Sequence, residues 1–227
     1  MKDMVILDEN DLWRISMIEG DTDLVTISIS SSPRIGQEFA DEEFITTSCK
    51  DGKAIFIIDK TNSFGNSLDW PHIVKLITPH TEGKSVRAIG FCMGGFLAIA
   101  LSRYINVDSV VTLNPQYSIM DSYIDRSNFP AELYTDRITE WKIPTLDGHF
   151  SDNTSYYVMY SQEQMDLDQI KHFPILKNVH LIDFGPDFDH GLPGDLKGDL
   201  PMLVEACLNH TPNIVHDYIK KHYEDQW

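Results

Sequence analysis

The sequence predicts an α/β fold with a mostly parallel, doubly wound sheet that begins with an antiparallel hairpin. Two short apolar runs near the amino terminus are separated only by the polar cluster at 8–11, which is the pattern of a hairpin. Strand-like and helix-like segments then alternate, as they do in βαβ units. The run at 54–59 is apolar almost throughout, which is typical of a strand covered on both faces.

The alternation assigns the elements in turn. The strands are expected at residues 4–7, 12–18, 24–29, 54–59, 86–90, 109–113, 156–160 and 179–183. β-Branched residues favour the third strand, and Pro33 in the serine-rich loop after it prevents its ladder from continuing. Helices are expected over residues 38–48, 70–78, 94–104 and 200–208.

Residues 117–155 separate two strands by far more than an ordinary connection. Loops of this length in a compact domain are usually lids or binding loops. The aromatic residues of the segment are Tyr117, Tyr123, Phe129, Tyr134, Trp141 and Phe150. We therefore expect a single domain over residues 1–227, with a lid or insertion at 117–155 that shapes an apolar pocket above the sheet.

The composition narrows the range of partners. The chain has 35 acidic and 18 basic side chains, for a net charge of −17, which disfavours nucleic acids and anionic membrane surfaces. No apolar run approaches the ~18 residues that a membrane span needs. The three cysteines, Cys49, Cys92 and Cys207, form no CxxC pair. A free thiol in a reducing cytoplasm is therefore expected rather than a disulfide or a zinc site.

The decisive motif is Gly90-Phe91-Cys92-Met93-Gly94, which stands between a predicted strand and a predicted helix. It matches the G-x-nucleophile-x-G elbow, with cysteine where serine is commoner. The nucleophile of such an elbow occupies a strained turn, and the flanking glycines let the strand and the helix approach closely. The partial positive charge of the helix amino terminus favours a thiolate there. The alternative is that Cys92 is a small buried hydrophobic residue.

His190 is the candidate general base, because it lies in the glycine-bracketed loop after the last strand. This is where a chain with such an elbow carries its base. His149, in the long segment, is the only serious rival. Asp187, Asp189 and His190 are close in sequence, but no second histidine stands at ligand spacing, so neither a metal nor another cofactor is expected.

The orienting carboxylate should follow the strand at 156–160, where Glu163, Asp166 and Asp168 are the candidates. We favour Asp166, which stands at or near the start of a predicted helix. An acid in this place is also a common helix N-cap. Cysteine nucleophiles can moreover function with a weak or absent third member.

Two backbone amides should hold the oxyanion of an acyl substrate. One belongs to Met93, the residue after the nucleophile, at the amino terminus of the predicted helix. The other should come from the loop after residue 29, where Pro33 has no N–H and the donor must be Ser31, Ser32 or Arg34. The alternative for the serines is a polar turn.

The elbow, Gly90 to Gly95, resembles that of dienelactone hydrolases, which are single-domain α/β-hydrolases with a Cys-Asp-His triad. The resemblance implies the α/β-hydrolase fold. It also implies catalytic roles for Cys92, for His190 and for an acid near Asp166.

A second resemblance covers roughly residues 24–205 and is to small bacterial α/β-hydrolase-like proteins that occur beside glycosyltransferase and cell-surface polysaccharide genes. The similar segments are Asp59–Trp70, Gly90–Gly95 and Asn114–Ile119. The late tyrosine, acid and histidine of those proteins are similar to Tyr160, Asp166 and His190. Serine is usual there at the position of Cys92.

These observations predict a hydrolase that cleaves an ester, a thioester or a lactone through an acyl-enzyme on Cys92. Its substrate is expected to be a small acyl compound that is neutral or locally screened. The alternative is a catalytically silent accessory or binding protein with a hydrolase fold, which the second resemblance would link to cell-surface polysaccharide assembly. A redox-sensing thiol is weaker, because no resolving cysteine lies nearby in sequence.

Overall fold

The computed structural model describes residues 3–33, 36–129, 132–135, 138–196 and 198–222. Its strands are β1 (Met4–Glu9), β2 (Trp13–Ile18), β3 (Leu24–Ile29), β4 (Lys53–Asp59), β5 (Ser85–Phe91), β6 (Ser109–Leu113), β7 (Ser155–Tyr160) and β8 (Val179–Asp183). They form one sheet in the order β1-β2-β4-β3-β5-β6-β7-β8. The pairs β1–β2 and β2–β4 are antiparallel, and the other pairs are parallel.

Helices cover both faces of this sheet. They are α1 (Ile45–Ser48), α2 (Trp70–Thr81), α3 (Met93–Leu101), α4 (Glu132–Thr135), α5 (Gln164–Ile170), α6 (Leu192–Asp195), α7 (Leu200–Leu208) and α8 (Asn213–His222). The largest apolar cluster packs α2, α3 and α5 on one face, and a second cluster packs α6, α7 and α8 on the other. None of the helices in the described residues is long and apolar enough to cross a membrane.

The predicted helix at 38–48 is wrong over most of its length, since only α1 is helical. The cause lies in the buried hydroxyls of β3 and the loop after it. Ser28 donates to the carbonyl of Glu43 and Ser30 donates to that of Asp41, both at 2.7 Å. These two bonds tie the chain at Asp41 and Glu43 to β3 and to the loop after it, which fixes a path other than a helix there.

Within the described residues of segment 117–155, α4 is the only helix or strand before β7, and apolar residues of the segment pack onto the face that carries α2 and α3. Phe129 and Ile143 belong to the main apolar cluster. The side-chain carbonyl of Asn66 accepts from the N–H groups of Lys142 and Ile143 at 2.7 and 2.9 Å. The segment is therefore anchored both by apolar burial and by a buried amide.

Candidate active site

Cys92 forms the turn between β5 and α3, at the edge of the sheet where the parallel strands end. Its backbone has φ 50° and ψ −116°. Residues other than glycine rarely adopt this conformation, which costs about 1–3 kcal/mol. A Cβ added to Gly90 would lie 2.2 Å from the backbone of Gly94, and one added to Gly94 would lie 2.1 Å from the carbonyl oxygen of Ile29. The two glycines therefore make this close approach possible.

His190 reaches this edge from the loop after β8, and its ring contacts Asp166 in the first turn of α5. The distance from His190 Nδ1 to Asp166 Oδ1 is 2.7 Å. Asp166 is 1 % exposed, and its other oxygen accepts from the hydroxyl of Ser161 at 2.6 Å. Because Nδ1 is occupied by the carboxylate, Nε2 is the nitrogen left to face the Cys92 sulfur.

The charges around His190 favour its protonated form. Burial lowers the pKa of the imidazole, but the Cys92 sulfur and the Asp166 carboxylate outweigh burial and raise the pKa of His190 well above its ordinary value of 6.5. The ring also packs against Phe91, with 5.2 Å between the ring centroids. The imidazole of His190 therefore lies between the sulfur of Cys92 and the carboxylate of Asp166.

The other two predicted acids have different partners. Glu163 Oε2 accepts from the backbone N–H of His190 at 2.5 Å, so this carboxylate holds the main chain of the loop rather than the ring. Asp168 pairs with Lys171 at 3.0 Å and accepts from Gln164 at 3.1 Å. Of the three acids, Asp166 is the one that the structure brings to the imidazole.

The two sides of the predicted oxyanion hole differ. Met93 is the first residue of α3, so its N–H has no partner one turn earlier in the helix. The N–H of Ser31 donates to Glu43 at 3.0 Å and its hydroxyl donates to the same carboxylate at 2.5 Å. The N–H of Ser32 makes no such bond within the described residues. Arg34 lies outside those residues, and Ser32 is therefore the better placed of the two serines.

Tyr134, in α4, lies near Cys92. Cys92 is 5 % exposed and Tyr134 is 9 % exposed. The ring of Tyr134 packs edge-on against Phe64 at 5.3 Å and stacks on Phe129 at 5.6 Å. Burial and the nearby Cys92 sulfur raise the pKa of Tyr134, and the hydroxyl of Ser32 partly offsets them. The sequence marks Tyr134 as an aromatic residue of the long segment, but no local pattern shows that it faces Cys92.

A cleft of about 460 Å³ lies beside the elbow. It is lined by Ser31 and Ser32 and by Phe91 and Gly191, the chain neighbours of Cys92 and His190. Three acidic residues, Asp41, Glu42 and Glu43, also line it, together with neutral residues such as Ala40 and Phe44. A small molecule in this cleft would therefore lie between the loop of the predicted oxyanion hole and the loop of His190.

The remaining cysteines and the rival histidine lie elsewhere. Burial raises the pKa of Cys49 and raises that of Cys207 to about 12, which makes both thiols poor nucleophiles at neutral pH. His149 precedes β7 and lines a groove with Ser102 and Arg103 at the opposite edge of the sheet. It is therefore not placed to serve Cys92 as a base.

The strand order, the antiparallel first strands and the elbow after β5 together define the α/β-hydrolase fold, as the sequence predicts. Comparison with solved structures supports this assignment. An α/β serine hydrolase homologue from Coxiella burnetii is 13% identical, with a TM-score of 0.58 over 89% of this chain and 96% of that one. The capsule O-acetyltransferase of Neisseria meningitidis serogroup A is 15% identical, with a TM-score of 0.55 over 93% of this chain and 92% of that one.

MenH from S. aureus has the same fold, with 13% identity and a TM-score of 0.54 over 87% of this chain and 98% of that one. The sequence matches no protein-family model and no curated protein at a significant level. Similarity at these identities establishes the fold. The specific resemblance to dienelactone hydrolases stays a prediction.

Proposed function

We propose that this protein is an acyl hydrolase in which Cys92 is the nucleophile, His190 the general acid and base, and Asp166 the orienting carboxylate. The observation that carries the proposal is the hydrogen bond of 2.7 Å between Asp166 and the ring of His190, on an imidazole that also interacts with the Cys92 sulfur. A structural cysteine needs neither a strained turn nor a buried carboxylate–imidazole pair beside it.

In the first half of the reaction, the Cys92 thiolate attacks the carbonyl carbon of an ester, thioester or lactone, and the carbonyl π electrons move to oxygen. The N–H groups of Met93 and Ser32 stabilise this oxyanion. When the tetrahedral intermediate collapses, the bond to the leaving group breaks. His190 gives its Nε2 proton to the leaving oxygen or sulfur, and a thioester of Cys92 remains.

In the second half, a water molecule loses a proton to His190 Nε2 and attacks the thioester of Cys92. The carbon–sulfur bond then breaks and the carboxylic acid leaves, which restores the thiolate and the imidazolium. Because the cleft beside the elbow is acidic, we expect its occupants to be neutral or cationic rather than carboxylates. Because Tyr134 is buried near Cys92, we further expect its side chain to move aside when a substrate enters.

Transfer of the acyl group to an alcohol instead of water is a second candidate. The observation that favours it is the burial of Cys92, which is 5 % exposed, because a covered thioester reacts less readily with bulk water. The likeness in fold to a capsule O-acetyltransferase agrees with this candidate. Product analysis in the presence of glycerol, with acyl glycerol and free acid quantified separately, distinguishes the two reactions.

The proposal is tested with aryl esters and aryl thioesters of increasing chain length, with Cys92→Ala as the control. We expect turnover that depends on Cys92 and an acyl adduct on Cys92 by mass spectrometry. Iodoacetamide should label Cys92 much faster than Cys49 or Cys207, at a rate that depends on His190. Equal, slow labelling of all three thiols, together with no turnover, would favour the silent accessory protein instead.

A further inference from the structure

Asn114 follows β6 directly, beside the elbow. It is 1 % exposed, and its backbone is left-handed, with φ 42°. The residue before it, Leu113, accepts the N–H of Cys92 at 2.9 Å, so Asn114 is one residue away from a direct contact with the nucleophile. A buried amide must find partners for its polar atoms, and these partners identify what the side chain holds.

The hydrogen bonds of the Asn114 side chain are made to loops outside β6. Its oxygen Oδ1 accepts from the N–H of Ser161, in the loop between β7 and α5, at 2.8 Å. Its nitrogen Nδ2 donates to the backbone carbonyls of Asp189 at 3.2 Å and His190 at 2.9 Å. A single amide group thus joins the loop before α5 to the loop after β8.

The loop before α5 leads into the proposed acid, Asp166, and the loop after β8 carries the proposed base, His190. The hydroxyl of Ser161 donates to Asp166 at 2.6 Å, and Glu163 accepts the N–H of His190 at 2.5 Å. His190 is therefore held at three points: its N–H by Glu163, its carbonyl by Asn114 and its ring by Asp166. The loop after β8 is irregular, so no strand ladder supplies this support.

On the basis of the proposed function, we propose that Asn114 is a positioning residue, which ties the loop of His190 to the loop that leads into α5 and Asp166, so that the imidazole stays within reach of Cys92. Catalytic groups must be held to within about 0.5 Å of their productive positions. A displacement of about 1 Å can cost about 100-fold in rate. Loss of the amide would remove the hydrogen bond to the carbonyl of His190 and the one from the N–H of Ser161, in the loop before α5.

Asn178 offers a matched control at the opposite edge of the sheet. Its Nδ2 also donates to two backbone carbonyls, those of Ser151 at 2.8 Å and Thr154 at 2.7 Å. These partners lie in the connection that leads into β7 and carry none of the proposed catalytic groups. Substitution of Asn178 therefore removes the same kind of hydrogen bonds without touching the base or the acid.

The test uses two pairs of variants. Asn114→Gly, in which glycine tolerates the left-handed backbone, is compared with Asn178→Gly. Asn114→Asp, which keeps the acceptor for the N–H of Ser161, is compared with Asn178→Asp. Thermal melting, an NMR titration of His190 and the kcat and KM for aryl ester hydrolysis are measured in the full chain. Both Asn114 variants should lower kcat about tenfold or more, with KM changed about twofold at most. In Asn114→Gly the pKa of His190 should fall towards its ordinary value and its ring signals should broaden. Both Asn178 variants should leave the titration and kcat unchanged at a similar loss of melting temperature.

The positioning role is overturned if Asn114→Gly loses as much thermal stability as Asn178→Gly but keeps the His190 titration and kcat of the parent. If Asn114→Gly does not fold, an unchanged kcat in Asn114→Asp overturns it as well. A third outcome separates the two proposals. If the parent protein hydrolyses no ester but the titration of His190 is shifted in the Asn114→Gly variant, the proposed function is refuted while the role of Asn114 in holding the ring is supported.

Discussion

Replacement of Asp166 by asparagine tests which carboxylate serves the base. The substitution keeps the shape of a side chain that is 1 % exposed but removes the charge that pairs with His190 at 2.7 Å. A hydrogen bond to a charged group contributes about 1.5–3 kcal/mol. We therefore expect kcat/KM for an aryl ester, and the rate of Cys92 alkylation by iodoacetamide, to fall about 10- to 150-fold.

The same substitution should lower the pKa of His190, because Asp166 raises it both through its charge and through its hydrogen bond. The pH profile of Cys92 alkylation should shift accordingly. Asp168→Asn is the matched control, since Asp168 pairs with Lys171 on the outer side of α5, and it should change the rates by about twofold at most. Equal losses in the two variants, or none in Asp166→Asn, would refute the assignment of Asp166.

Three further predictions concern Tyr134, the elbow and the base. Tyr134→Ala should speed alkylation of Cys92 several-fold while Tyr134→Phe should not. Equal acceleration in both variants would show that the hydroxyl rather than the ring shields the sulfur, and no acceleration in either would contradict the shielding. Gly94→Ala should destabilise the fold by about 1–3 kcal/mol or more, because the added Cβ would overlap a carbonyl of β3. Gly194→Ala, which meets nothing within 4 Å, is its control in urea unfolding. Because the pKa of His190 is raised in the folded protein, protonated His190 stabilises the fold. This contribution is complete below the unfolded pKa of 6.5 and is lost as the pH rises through the folded pKa. His190→Asn should therefore lower the melting temperature more at about pH 6 than at about pH 9, and an equal loss at both would contradict this.

The strand pattern and the elbow could be predicted because each depends on neighbours in sequence. The five residues Gly90 to Gly94 are enough to predict the turn. Glycine is needed at its two ends because an added Cβ would lie 2.2 Å from backbone atoms at Gly90 and 2.1 Å from them at Gly94. The order of elements then places His190 and an acid at the same edge of the sheet. The sequence favours Asp166 from its place near the start of a predicted helix, but only the structure shows that Asp166 meets the ring of His190 and Glu163 meets its backbone N–H.

The contacts of Asn114 and Tyr134 could not be predicted, because they join segments that are far apart along the chain. Asn114 binds Ser161, 47 residues away, and the carbonyl of His190, 76 residues away. Tyr134 reaches Cys92 only because an irregular segment is packed onto α3. No periodic pattern records such a packing arrangement.

Among the differences between the predicted and the observed secondary structure, two have identifiable reasons. The interval 38–48 has helical composition, yet hydroxyls from β3 and its loop compete for its carbonyls. Residues 213–222 have the opposite problem, since they are polar overall but form α8. Val215 and Ile219, four residues apart, are the positions that α8 buries. A narrow apolar stripe of this kind is easily overlooked in a charged segment.

The tight turn at the elbow separates the shape of this site from its reactivity. Its backbone path depends on the absence of side chains at Gly90 and Gly94, whereas under the proposed function the attacking atom belongs to Cys92 alone. A single exchange of sulfur for oxygen would therefore leave the scaffold intact and alter only the strength of the nucleophile and the lifetime of the acyl adduct. In such an architecture, a change of chemistry does not require a change of fold.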